Sequence, residues 1–149
     1  MWGKGYINTS SSFVSCDYLA DGTKKYVYAF CGSEATINTP VYTLPMGSGL
    51  MATALAASTY GVVGVPKEAV GSGSWGWFQV EGFASDVQCA AAGVTVSVGE
   101  AIYWAHTGLR GTTSLYLGLD YQVGKAMTAQ TGSTTVGMFL TGNYATPAA

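Results

Sequence analysis

Hydrophobic and polar positions alternate with a period of two along several short stretches of the chain. Trp75 to Gly82 is the clearest: Trp75, Trp77, Gln79 and Glu81 share one face of an extended strand, and Gly76, Phe78 and Val80 share the other. Val94, Val96 and Val98 alternate with Thr95 and Ser97, which predicts a strand whose valines face a core. Thr134 to Thr141 reads as a further strand. So does Lys25 to Phe30, with Tyr26 and Tyr28 on the face opposite Val27. Gly71-Ser72-Gly73-Ser74 marks a turn. Helix signals are scarce. Leu50 to Ser58 contains good helix formers, but a stretch so short is marginal alone, and loop or strand is expected there. Pro66 to Ala69 fits a single helical turn with proline at its first position.

The same pattern returns after about 60 residues. Val63-Gly64 falls on Val123-Gly124, Phe78 and Val80 on Met138 and Leu140, and Gly82 on Gly142. Val41-Tyr42 falls on Ile102-Tyr103, one residue out of step. This predicts two similar β-units, roughly 35–82 and 95–142, packed together rather than a longer solenoid. Residues 1–25 lack the pattern and predict an N-terminal arm before a β-domain of 26–149. Within the arm, Trp2, Tyr6, Phe13 and Tyr18 are apolar anchors in a polar stretch, suited to lying on a neighbouring subunit. The rival reading is a loose terminus.

Composition narrows the function. Charged residues are 9% of the 149, against about 25% in an average soluble protein. The net charge is −2, so no long-range field of either sign is available. The six cations, Lys4, Lys24, Lys25, Lys67, Arg110 and Lys125, are scattered, which argues against nucleic-acid binding. Apolar runs are too short for a membrane helix, and no signal-peptide core follows the first residues. A surface so poor in charge tends to associate, so the chain is expected to work in an assembly. The three cysteines, Cys16, Cys31 and Cys89, form no CxxC pair, and buried free thiols are expected. A Cys16–Cys31 disulfide stays open as an alternative.

Candidate chemistry is thin. The one histidine, His106, lies two residues before Gly108, and no GxSxG elbow, phosphate loop or calcium loop is present. No catalytic residue, metal or cofactor is expected. Trp75 and Trp77, two apart on one strand face, suit either packing and interface contacts or stacking on sugar rings. The second possibility makes a carbohydrate-binding module, or another fibre or spike β-domain, the alternative function.

From about Val41 onward the chain resembles the small capsid decoration proteins of tailed phages. The segments that carry the resemblance are Gly61 to Val65, Gly71 to Ser74, Trp75 to Gly82, Val98 to Tyr103 and Val123 to Ala126, within about two-thirds of the sequence. The resemblance implies an all-β fold, a small β-barrel or β-tulip. It also implies a non-enzymatic cement protein, trimeric or similarly clustered, on the capsid exterior after synthesis in the host cytoplasm. Its partner would be the major capsid protein, whose subunits it bridges. The residues expected at interfaces are Trp2, Tyr6, Phe13, Tyr18, Trp75, Trp77, Phe78 and Trp104.

Overall fold

In the computed structural model the chain is all-β and barrel-like; the structure describes residues 18–46, 49–53, 62–88, 94–104, 111–112 and 121–142. Among the described residues twelve strands follow in order. In the first half they are β1 (Tyr18–Asp21), β2 (Lys24–Cys31), β3 (Val41–Met46), β4 (Gly49–Thr53), β5 (Val62–Pro66) and β6 (Trp75–Gln88). In the second they are β7 (Val94–Val96), β8 (Ala101–Trp104), β9 (Gly111–Thr112), β10 (Tyr121–Ala126), β11 (Gln130–Ser133) and β12 (Thr135–Thr141). Among the described residues no helix is long and apolar enough to cross a membrane.

The first half closes on itself. β2 pairs in parallel with β4, β4 with β3, β3 with β5, β5 with β6, and β6 returns to β2. Inside this circuit lies one core: Val27, Ala29 and Cys31 of β2, Val41 of β3, Ala52 of β4, Phe78 and Val80 of β6, and the bridging residues Ala35 and Val70. From β6 the sheet continues through β12, β10 and β8 to β9. A second core holds Ala84, Val87, Val96, Ile102, Ala126, Val136, Met138 and Leu140 against Tyr42, Val63 and Val65. The Val-Gly-Val run of β5 therefore serves both. Val63 and Val65 point to the second core. Gly64 faces the first, where a Cβ would sit 2.9 Å from that of Phe78.

β6 belongs to both halves. Its first residues pair with β2, Phe30 opposite Trp75 and Tyr28 opposite Trp77. Its last residues pair with β12, from Thr141 opposite Glu81 to Thr135 opposite Gln88. The change falls at Gly82, whose φ is +90° and where a Cβ would run into the carbonyl of Thr23. Gln79, wholly buried, braces the same point. Its Nε2 donates to the carbonyls of Glu81 (3.2 Å) and Phe83 (3.0 Å).

Connections in the first half recur about 60 residues later. Val41 pairs with Gly64 and Ile102 with Gly124. Val65 pairs with Gln79 and Lys125 with Phe139. Ala35 bridges Val70, and Val96 pairs with Gln130. The amide of Asn38 donates to Pro66 O, and that of Gly99 to Ala126 O.

Four expectations need correction. Residues 18–25 are not arm, because β1 and β2 pair there as a hairpin, Asp21 opposite Lys24. Val98 does not face the core; the strand stops at Val96, and Val98 sits 65% exposed in the turn that follows. Pro66 ends β5 instead of opening a helical turn, since it pairs with Phe78. The strand that begins at Trp75 runs to Gln88, past Gly82.

Candidate interaction surface

Trp75 and Trp77 do not stand as a pair of open indoles. Cross-strand pairing sets them against Tyr28 and Phe30, and Tyr28, wholly buried, lies between them. The Tyr28 ring stacks on Trp75 (centroids 5.6 Å apart, planes at 19°) and tilts against Trp77 (5.1 Å, 49°). Phe30 meets Trp75 edge-on at 5.6 Å. Each such pair contributes about 0.5–1.5 kcal/mol beyond area burial, so both half-buried indoles are committed to the fold. Phe78 is wholly buried in the first core, which removes it from any interface. Tyr18 and Trp104 are placed by their backbones, in β1 opposite Val27 and in β8 opposite Tyr121. Trp2, Tyr6, Phe13 and His106 lie outside the described residues.

Among the described residues the large exposed apolar side chains are others: Ile37, Phe83, Val98, Met127 and Phe139. Ile37 and Val98 hold matching places. Each precedes a residue of positive φ, Asn38 (59°) and Gly99 (87°), in a turn closed by a backbone bond, Thr39 N to Thr36 O or Glu100 N to Ser97 O. The Ile37 turn is tied to the end of β6 by Gln88 N donating to Asn38 O. The Val98 turn is tied to the end of β10 through Ala126. β6 and β10 both run antiparallel to β12, which lies between them. The two apolar tips are therefore at the same end of one sheet, one on each side of β12.

Phe83 and Phe139 are directly opposite each other on β6 and β12, on the sheet's outer face. Lys125 of β10 is opposite Phe139 and also exposed. Sequence reading missed all five apolar residues because each was absorbed into a strand or a loop. The available signal was the pair Ile37-Asn38 and Val98-Gly99, an apolar residue before one that tolerates positive φ, repeated at the spacing of the two halves.

Ionic chemistry is sparse among the described residues. Lys25 pairs with Glu81 at 2.6 Å. Lys67 Nζ donates to Asn38 Oδ1 (3.2 Å) and to Ser85 O (3.3 Å), tying the Ile37 turn to β6. Burial holds its amine below the ordinary lysine range, helped by Lys24 and opposed by Asp86. Cys31 is a free, buried thiol that donates to Ser33 O at 2.7 Å. No group of three or more His, Cys, Asp or Glu among the described residues could hold a metal ion.

The fold and these surfaces define an all-β, barrel-like protein with apolar turn tips. No family model, no curated protein and no solved structure matches the chain.

Proposed function

We propose that this chain is a structural virion protein that decorates the outside of a phage capsid and cements it by bridging adjacent major capsid protein subunits. The observation that carries the reading is the pair of exposed apolar tips, Ile37 (50% exposed) and Val98 (65%), in equivalent turns at one end of one sheet. A clamp across two copies of one partner needs two like contacts held in fixed relation. Once the first is made, the second is intramolecular and acts at an effective concentration in the roughly millimolar range. The low charge of the chain agrees, since few ions must be desolvated when its faces are covered. The reading of the sequence from about Val41 onward as similar to decoration proteins is in keeping with this.

The test is occupancy on purified particles of the encoding phage, counted by quantitative mass spectrometry. Hundreds of copies per particle are expected; a dozen or fewer would place the chain elsewhere and end the proposal. Ile37→Asp and Val98→Asp should each weaken rebinding to stripped heads about tenfold or more, roughly one buried apolar anchor. Together they should abolish it. Thermal melts should be unchanged, because both side chains are already exposed. Full occupancy by the double variant would remove the tips from the contact.

A further inference from the structure

We infer that the outer face of β6, β12 and β10 pairs two copies of this chain about a two-fold axis running along β12. The face is built in rows. Phe83, Phe139 and Lys125 lie side by side across the three strands. In the next row the bulge residues Ser85 and Asp86, both exposed, oppose Gly137, which lies between Val136 and Met138 where the register shifts. Beyond Gly137 comes Met127, whose amide donates to Gly137 O. Phe83 and Thr128 flank Gly137, and Thr128 Oγ1 accepts its amide hydrogen at 3.2 Å. The result is an exposed apolar stripe of Phe83, Phe139 and Met127, with Lys125 on the β10 flank and Asp86 on the β6 flank.

Two features select a second copy as occupant. The first is charge. Rotation about an axis along the strands lays the β6 flank of one copy over the β10 flank of the other. Phe139 then meets Phe139 of the second copy on the axis, and Lys125 lies over Phe83 of the second copy with Asp86 one row along. An axis across the strands would instead put Lys125 over Lys125, which is repulsive. The favoured contact is isologous, with each charged pair made twice, and it is the aligned packing that two sheets adopt face to face. Glu81, on the same face, is already neutralised by Lys25. The amine of Lys67, the other cation near Asp86, is held by Asn38 and Ser85.

The second feature is internal precedent. The positions in the first half that correspond to Lys125 and Phe139 are Val65 and Gln79. Both are wholly buried, and Val65 packs with Val63 and Tyr42 into the second core, against residues of β6, β8, β10 and β12. This face of the fold is thus covered by β-sheet in one half and left open in the other. An isologous contact closes at two, so a three-fold cluster on a shell would have to use another surface.

The experiment is sedimentation equilibrium of the full chain in solution, with no viral particles present, so that its failure is separate from failure of the cement role. A monomer–dimer equilibrium is expected. Phe139→Ser should weaken it at least about tenfold, and Lys125→Glu should do the same. Asp86→Asn, chosen because asparagine tolerates the φ of 55° at that bulge, should weaken the wild-type dimer. In the Lys125→Glu background it should strengthen it by removing a repulsion. Far-UV circular dichroism checks that each variant is folded. A folded chain that stays monomeric at all concentrations overturns the proposal. So does undiminished pairing by Phe139→Ser, or an effect of Asp86→Asn with the same sign in both backgrounds.

Discussion

The fold shifts the titration of Cys31 and of Lys67, in opposite senses. Burial pushes the Cys31 thiol above its ordinary value of 9.0, with backbone hydrogen bonds at Ala35 and Ser33, which favour the thiolate, working the other way. The folded chain therefore keeps a proton that the unfolded chain releases. This contribution to stability is fully present below pH 9 and is lost as pH rises through the folded value. Burial lowers the Lys67 amine from 10.5. Here the unfolded chain holds the proton longer, so a penalty present at neutral pH is lifted as pH rises through the folded value towards 10.5. Urea midpoints compared between pH 8 and 10.5 should show both effects. The advantage of wild type over Cys31→Ala should shrink with pH, and wild type should gain on Lys67→Met. The tyrosines cancel in each comparison. Parallel curves would mean that neither group is desolvated as described.

At the scale of elements, β6 decides the architecture, and Gln79 is the side chain that holds its bend. Its amide donates to two backbone carbonyls, while its own Oε1 is buried with no hydrogen-bond partner. Gln79→Leu removes two bonds worth about 1 kcal/mol each, and also an unpaired polar atom whose burial costs about as much as one of them. A net loss of about 1 kcal/mol is expected from chemical denaturation. Gln79→Glu places a carboxylate beside two carbonyl oxygens and should cost about 3 kcal/mol or more. The reverse order would show that Gln79 fills space rather than bracing the strand. The start of β6 was legible in the sequence because Trp75 to Val80 alternates cleanly; its end was not. Gly82 reads as a stop, and the bulge at Ser85-Asp86 breaks the period of two before Val87 restores it. β4 was legible in part: despite the helical propensity of Leu50-Met51-Ala52, loop or strand was expected there, and strand is found because β3 and β2 claim its two edges and tertiary pairing outweighs a preference of a few tenths of a kcal/mol per residue. The apolar tips were illegible for another reason: nothing in a sequence says that Val98, two residues after the buried Val96 and continuing its alternation, sits in a turn.

For the whole molecule, the question is whether two halves that repeat each other's pairings are also two folding units. Independent units would melt separately, as domains joined by few contacts do. Here β6 runs through both halves without interruption, and Tyr42, Val63 and Val65 of the first half fill the second core. Removing either half would strip the other of a strand or expose three large apolar side chains, each worth about 1.5–3 kcal/mol when buried. The energetic coupling is thus comparable to the whole stability of a domain of this size, roughly 5–15 kcal/mol. A single cooperative transition is expected, with circular dichroism and tryptophan fluorescence giving coincident curves. Gly82→Ala probes the junction directly. It strains a φ of +90° and drives a methyl group into the Thr23 carbonyl, costing about 2–4 kcal/mol. Hydrogen exchange should register that loss equally at amides of β3 in the first half and of β12 in the second. Loss of protection confined to one half would mean that the halves are stable alone and that β6 merely connects them.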